Sequence, residues 1–394
     1  MTPPSLRGSC GKVGRVAQQV ALASIVDRLD QAFPPRLAED WDSVGLVCGD
    51  PAEPVGRVLV CVDVTPAVVD EAVAGDYDLV VAHHPLLLRG VDTVAASTPK
   101  GALVHRLIRA GCGLYTAHTN ADSARPGVSD ALADLLGLSG TAPLQPVGAA
   151  ELDKWIVMVP VDDAPGVRAA LFAAGAGEIG DYRHCAWTVV GTGQFEPLAA
   201  ANPTIGRAGG GVEEVAEARV EVVAPRSARG GVLSALRATH PYEEPAFDVL
   251  ELAPVPDRSG LGLGRVGELA DEMSLREFVE YAAGRLPVAA WGIRAAGDPE
   301  RRVRRVAVCG GAGDSLIGAA ARAGADVYLT GDLRHHVVDE ALRCGGPALV
   351  DAGHWTTEFP WCAPTARLIG GFGVEATVFA EPTDPFVLAA PARD

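Results

Sequence analysis

Several residue types and motifs that carry familiar chemistry are scarce or absent in this sequence. Only three of the 394 residues are lysines, which argues against Schiff-base chemistry. The two closest of the eight cysteines are 13 residues apart, so the chain has no C-x-x-C element for zinc or thiol exchange. It also has no G-x-S-x-G nucleophile elbow, which counts against a serine hydrolase.

The chain also lacks long apolar runs and an excess of positive charge. No run approaches the ~18 residues of a membrane span, and the N-terminal residues mix Gly, Arg and Lys with short apolar pieces instead of forming a signal-peptide core. The 33 basic and 50 acidic side chains give a net charge of −17, which repels nucleic-acid phosphates and anionic membranes. We therefore expect a cytoplasmic protein with mostly buried, reduced thiols, and neither a nucleic acid nor a membrane as partner.

Short apolar strands alternate with helices in two stretches of the chain. The strands are expected at 57–64, 79–84 and 113–118 in the first stretch and at 303–309, 327–330 and 347–352 in the second. This alternation predicts right-handed βαβ crossovers and a mainly parallel sheet. With an offset of 236 residues, His118 and Asp122 align with His354 and Glu358. We therefore predict two similar α/β lobes; a chance match between alternating elements is the alternative.

The region between the two stretches follows a different pattern. From about residue 150 to 253 the order is strand, helix, strand, strand, helix, strand, which is the ferredoxin-like arrangement. The predicted organisation is a disordered leader at 1–19, a first α/β lobe at 20–149, an inserted ferredoxin-like α+β domain at 150–253 and a second α/β lobe at 254–394. Stretches rich in Pro and Gly on either side of the insert are interpreted as its hinges.

Two adjacent histidines follow one of the most apolar strands. The run from Leu79 to Ala82 ends in His83, His84 and Pro85. Ligands of open α/β folds bind at the carboxyl ends of strands. Because adjacent side chains at a strand end point in different directions, this pair reaches two ions a few ångströms apart better than it chelates one. The alternative is a pair that only caps the sheet through hydrogen bonds.

Two further polar segments also follow predicted strands. His118 and Asp122 stand in the segment HTNAD, and His354 and Glu358 stand in the segment GHWTTE. If a helix begins near His354, a spacing of four puts His354 and Glu358 on the same face, one turn apart. The alternative for each segment is an ordinary turn or helix start, in which polar side chains cap backbone amides.

Together these segments place imidazoles and carboxylates at corresponding strand ends in both lobes. A site in the cleft between the lobes requires this arrangement. Divalent cations such as Mn, Fe, Co or Zn accept a mixed set of nitrogen and oxygen ligands. A carboxylate can also bridge two ions through its two oxygens, whereas an imidazole in one tautomer cannot.

Glycine-rich and histidine-rich segments outside this set have other interpretations. Residues 262–267 spell G-x-G-x-x-G without the helix that a nucleotide unit needs, so we interpret them as a glycine-rich strand. Residues 309–315 can hold an anion on their amides, although close helix-to-sheet packing is favoured. His335 and His336 are assigned to a solvent-facing helix, with Asp332 and His335 expected beside the ligands.

Six ordered motifs resemble the NIF three-like family, whose bacterial members are often named as homologues of GTP cyclohydrolase type 2. The motifs are WDSVGL at 41–46, HHP at 83–85, HTNAD at 118–122, HPYEEPAFD at 240–248, GLGRVGEL at 262–269 and GHWTTE at 353–358. The resemblance covers about residues 20–380. Ser43 departs from the family pattern, which usually has Asn beside the VGL.

The resemblance implies a dinuclear centre that holds two divalent cations per chain. Its matching ligands in this sequence are His83, His84, Asp122, His354 and Glu358. It also implies a toroidal homohexamer and, in members of this length, an inserted domain similar to CutA and PII proteins.

These observations favour a metal-dependent hydrolase that acts on a small molecule such as a nucleotide or a phosphoester. Two divalent ions would activate water and clamp the attacking and departing oxygens. His118 is the candidate proton carrier, and the family name suggests opening of the purine ring of GTP. The alternative is a non-catalytic metal-binding or regulatory hexameric scaffold, in which the PII-like insert senses a ligand.

Overall fold

The computed structural model describes residues 20–147, 151–180, 182–253, 260–288, 290 and 292–390. The described residues form two compact units, of which the larger contains the chain up to Val147 and again from Gly260. Residues 151–253 belong to the smaller unit. The predicted leader at 1–19 lies outside the described residues.

The first sheet of the larger unit has five strands. In spatial order they are Glu375–Val378, Arg57–Cys61, Leu79–Ala82, Gly113–Thr116 and Gly45–Cys48. The first four are parallel, and the last pairs antiparallel with its neighbour. Every residue of Leu79–Ala82 is buried, since helices cover both faces of a parallel sheet.

The second sheet of the larger unit has six strands. In spatial order they are Arg294–Ala296, Ala348–Asp351, Val327–Gly331, Arg302–Ala312, Arg265–Ser274 and Ser139–Ala142. Only the second, third and fourth of these are mutually parallel. Three adjacent parallel strands therefore follow one another in chain order in each sheet, and the first sheet has a fourth, Glu375–Val378. This shared strand arrangement confirms the predicted pair of similar α/β lobes.

The helices of the larger unit connect these strands. They are Leu22–Ala32, Pro66–Ala74, Pro99–Ala110, Thr119–Ser123, Val128–Leu135, Leu275–Ala283, Ile317–Arg322, His335–Arg343, His354–Glu358 and Cys362–Gly370. Thr65 and Thr98 each cap a helix through the side-chain oxygen, and each is followed by a proline at the first helical position. The 3₁₀ turn Asp314–Leu316 precedes the helix Ile317–Arg322.

Two short strands pair with the sheet of one lobe although the sequence assigns them to the other lobe. The sequence assigns 20–149 to the first lobe and 254–394 to the second, but Glu375–Val378 joins the first sheet beside Arg57–Cys61. Ser139–Ala142 joins the second sheet. Hydrophobic patterning cannot assign these short strands, because period-two alternation does not identify a pairing partner.

The smaller unit is a four-stranded antiparallel sheet with two helices. Its strands lie in the spatial order Ala186–Phe195, Glu213–Pro225, Leu152–Pro160 and Phe247–Glu251. The helices Ala164–Ala173 and Arg229–Thr239 pack on it through a core that includes Trp155, Leu171 and Leu236. This strand order is that of a ferredoxin-like fold.

The described residues include no helix that is both long and apolar enough to cross a membrane. Cys61, Cys112, Cys309 and Cys362 are buried.

Candidate metal centre

The carboxyl ends of parallel strands from both sheets bring the candidate ligands together. His83 and His84 follow the strand Leu79–Ala82, and His118 follows the neighbouring strand. His354 is the first residue of a helix that begins just after the strand Ala348–Asp351 of the other sheet. The predicted cleft between the lobes is therefore where these histidines meet.

Glu358 lies at the centre of the cluster. Its carboxylate oxygens are 3.0 Å from His84 Nε2, 3.1 Å from His354 Nε2 and 3.4 Å from His83 Nε2. The helix His354–Glu358 sets this position, because a spacing of four puts its first and last side chains on one face. A single buried carboxylate thus contacts imidazoles from both lobes.

Two overlapping groups of side chains could each hold a cation. His84, His354 and Glu358 form one group, and His83, His84 and His118 form the other. Asp122 Oδ1 lies 3.8 Å from His83 Nε2, at the edge of the second group. Both groups include His84, so the candidate ligands form one continuous cluster.

An oxygen acceptor orients each of the four imidazoles through Nδ1. The Nδ1 atoms of His84, His118 and His354 lie 2.7, 2.8 and 2.6 Å from carboxylate oxygens of Asp63, Asp42 and Asp332, respectively. His83 Nδ1 lies 2.8 Å from the carbonyl oxygen of Ala117. Because these acceptors require a proton on Nδ1, the neutral imidazoles present Nε2 lone pairs to the centre of the cluster. Metal-binding histidines are commonly oriented in this way.

The residues of the cluster fit a divalent cation. Among the described residues, His83 Nε2 and Asp122 Oδ1 are buried without a hydrogen-bond partner. The Nε2 atoms of His84 and His354 are only 3.2 Å apart, so their lone pairs converge. Buried polar atoms are costly when they are unsatisfied, and a cation bound among nitrogen and carboxylate ligands would satisfy all of them.

The electrostatics of the cluster also favour positive charge. Burial raises the pKa of Glu358, but the adjacent His84, His83 and His354 outweigh it and hold the pKa well below its usual value. Burial lowers the pKa values of His84 and His354, but the Glu358 charge and carboxylate hydrogen bonds raise them to about 10 and about 11. Burial raises the pKa of Asp122. The buried carboxylate thus attracts protons to the positions where a cation would bind.

Asp42 connects the N-terminal part of the chain to this centre. It accepts hydrogen bonds from His118 Nδ1, from the backbone and hydroxyl of Thr119 and from the Ser43 amide. Burial raises the pKa of Asp42, but the His118 and Thr119 hydrogen bonds more than offset this and leave the pKa well below its usual value. Asp42 is therefore a permanent anion that orients His118.

Most residues of the cluster are identifiable from the sequence, but some are not. The five candidate ligands and His118 all lie in the cluster, and Asp332, expected beside the ligands, holds His354. His335, also expected there, is exposed at the first residue of its helix. The sequence does not identify Asp42 or Asp63 as site residues, although Asp63 follows the strand Arg57–Cys61 and its position at a strand end is a usable signal.

The glycine-rich segment after Val308 makes room for the central carboxylate. A Cβ atom on Gly311 would lie 2.3 Å from Glu358 Oε1 and 3.1 Å from His354 Nε2. The Gly311 amide donates to Thr357 Oγ1, so this amide is not free to hold an anion. A Cβ on Gly310 would meet Val128 of the packed helix at 2.7 Å, as the close-packing interpretation predicts.

Replacing Gly311 by alanine is expected to reduce metal affinity by about 10–100-fold, the range for changes that displace ligands indirectly. The methyl group would push against Glu358 and His354. Gly324→Ala is the matched control, because Gly324 has φ +69°, close to the +66° of Gly311, but nothing within 4 Å of its Cβ position. Chelator competition measures both affinities, and an equal loss in the two variants would mean that backbone strain alone is responsible.

A cavity of about 220 Å³ opens onto His84 and His354. Asp63 and Asp332 also line it, together with residues 384–386 near the C-terminus. A small molecule can therefore reach the cluster from this side.

A family model and individual relatives match nearly the whole chain. The model of Duf34/NIF3 (NGG1p interacting factor 3) matches residues 20–385. A Mycobacterium tuberculosis protein named GTP cyclohydrolase 1 type 2 homolog is 58% identical over 373 residues, which cover 94% of this chain and 97% of that protein. A Bacillus subtilis protein of the same name is 40% identical over 376 residues, which cover 94% and 99%.

Solved structures share the fold across most of the chain. A Bacillus cereus protein related to NIF3 superposes with a TM-score of 0.69 at 36% identity, covering 95% of this chain and 100% of that one. A Staphylococcus aureus protein superposes with a TM-score of 0.74 at 26% identity, covering 93% and 98%. These similarities confirm the predicted fold class, whereas the similarity of the insert to CutA and PII proteins stays a prediction.

Proposed function

Since the chain belongs to the Duf34/NIF3 family, we propose that it is a metal-dependent hydrolase that acts on a nucleotide or a phosphoester. The observation that carries this proposal is the position of Glu358, which lies within 3.4 Å of three imidazole nitrogens from two lobes. A buried carboxylate in such a set is a typical ligand of a divalent cation.

The charge around the cluster supports two cations rather than one. The carboxylates of Asp42, Asp63, Asp122, Asp332 and Glu358 carry five negative charges when ionised, and a histidine that binds a metal is neutral. One divalent ion would leave a charge of about −3, and two would leave about −1. Only the net charge of about −1, left by two ions, suits an anionic substrate, since like charges repel strongly in a partly buried site. Zn, Fe, Mn and Co all suit these ligands.

Divalent cations supply Lewis-acid chemistry when they are bound, because they polarise substrate oxygens and lower the pKa of water. The chain contributes orientation and a proton carrier. Asp42 holds His118 Nδ1–H, which leaves His118 Nε2 free to accept a proton from the attacking group and return it to the leaving group. Names of the relatives make GTP the first substrate to test.

The function is tested by a turnover screen of metal-loaded protein. GTP, other nucleotides, cyclic nucleotides and simple phosphoesters are incubated with the native protein and with Asp122→Asn, and products are separated by chromatography. We expect turnover of at least one compound by the native protein and none by the variant. Full metal occupancy with no turnover of any compound would favour the regulatory scaffold instead.

Replacing His118 by glutamine distinguishes a proton carrier from a metal ligand. If His118 moves protons, turnover is expected to fall by about 10²–10⁴-fold while the metal content stays at the native level. Asp42→Asn is expected to lower turnover less, because His118 remains but loses its fixed orientation. Elemental analysis and kinetics on the same samples provide the test, and a parallel loss of metal in His118→Gln would make His118 a ligand.

We also propose that the protein assembles as the toroidal homohexamer that the family resemblance implies. Closed symmetry suits a strongly acidic chain, because a finite ring limits the self-repulsion that open association would accumulate. Light scattering in moderate salt is expected to give a mass near six chains. A monomer at micromolar concentration would contradict the ring without affecting the metal centre.

A further inference from the structure

A second and larger cavity lies in the larger unit, outside the metal centre. It is a groove of about 760 Å³, a volume typical of small-molecule sites. Its lining is mainly apolar and includes Phe33, Leu135, Phe359, Trp361 and Leu368. Leu135 and Leu368 remain partly exposed to solvent there. None of the candidate metal ligands lines this groove.

The lining of this groove carries positive charge in a strongly negative chain. Arg125, Arg285 and Arg367 line it, and within the described part of the chain none has a carboxylate at ion-pair distance. Arg285 lies over the ring of Tyr281, and Arg125 donates hydrogen bonds to the carbonyl and hydroxyl oxygens of Thr141. The acidic residue among the lining side chains is Asp134.

Most other arginines of this unit are engaged by carboxylates. Arg302 and Arg305, for example, pair with Glu272 and Glu268 at 2.6 and 3.3 Å. The chain has a net charge of −17, so three arginines around one apolar groove, without ion pairs among the described residues, create a local positive potential. Guanidinium groups of this kind bind carboxylates and phosphates in bidentate geometry.

We propose that this groove binds a small amphipathic anion, with an apolar body against Leu135 and Leu368 and a carboxylate or phosphate at the arginines of its lining. The apolar lining supplies the hydrophobic contribution, and the arginines select the charge. The groove is separate from the metal centre, but Trp361 connects the two. This residue lines the groove, and its ring centroid lies 5.4 Å from that of His83.

Calorimetric titration of the full-length protein with octanoate, octyl phosphate, octan-1-ol and octylammonium tests the proposal. We expect at least one of the two anions to bind at least tenfold more tightly than the alcohol, and the ammonium to bind no better than the alcohol. Comparison of octanoate with octyl phosphate shows which anionic group the site prefers. Equal affinity for the alcohol and both anions would overturn the proposal.

Substitution of the arginines tests where the anion binds. Arg367→Gln and Arg285→Gln are each expected to weaken binding of the preferred anion by about tenfold, the typical value of one charge-assisted hydrogen bond. Arg322→Gln is the matched control, because Arg322 is an exposed arginine outside the groove. Affinities that do not change in the two groove variants would overturn the proposal.

A final variant separates a small ligand from a second protein chain. Ala363 lines the groove and is exposed, so Ala363→Trp would fill the space without disturbing the core. We expect this variant to lose anion binding while its solution mass and metal content stay native. A fall in solution mass would show that another copy of the chain occupies the groove, and would overturn the proposal.

Discussion

Replacing Glu358 by glutamine is expected to remove most of the bound divalent metal. Glutamine keeps the size of the side chain but loses the charge that three imidazoles surround, at 3.0, 3.1 and 3.4 Å. Outer residues that only orient a ligand typically contribute 10–100-fold to metal affinity, so we expect the loss here to exceed about 100-fold. Elemental analysis after dialysis and chelator competition measure it.

Glu340→Gln is the control for this substitution. Glu340 is exposed on the helix His335–Arg343, so its replacement changes the net charge equally without reaching the cluster. We expect this variant to retain native metal content. A Glu358→Gln protein that retains the native affinity would contradict the assignment of Glu358 as a central ligand, and the proposed hydrolase would lose its principal support.

Replacing Asp130 by asparagine is expected to have the largest effect on stability. Arg265 is fully buried, and its side chain donates to both Asp130 oxygens at 2.7 Å and to the carbonyl oxygens of Gly262, Gly264 and Ala124. All five N–H donors of the guanidinium are therefore used. Removing the carboxylate would leave a buried charge without compensation, which typically costs 3–5 kcal/mol.

Urea denaturation with a chelator present measures this effect, because bound metal would otherwise add to the apparent stability. Asp339→Asn is the control, since Asp339 pairs with Arg343 across one exposed helical turn, where such pairs contribute only about 0.3–0.5 kcal/mol. We expect the Asp130→Asn, Arg265→Met double variant to be more stable than Asp130→Asn alone, because it no longer buries an unpaired charge. A single-variant loss below about 1 kcal/mol would contradict this account.

The sequence by itself was sufficient to predict the local elements and the main ligands. Buried parallel strands are continuous apolar runs, so Leu79–Ala82 and Val327–Gly331 were recognisable without a structure. Ligands of such folds follow the carboxyl ends of strands, which is why the sequence identifies His83 and His84 as candidates. The spacing of His354 and Glu358 follows from helical periodicity alone.

Only the tertiary structure decided which distant groups meet. Asp42 and His118 are 76 residues apart, and Arg265 and Asp130 are 135 residues apart, so no local period relates them. The short strand Glu375–Val378 joins the first sheet through backbone hydrogen bonds, which are the same for every sequence and leave no signature in the side chains. The arginine-lined groove likewise depends on helices from separate parts of the chain. The periodicity of the sequence determines which side chains share one face of a helix or strand. Tertiary packing determines which other elements that face contacts.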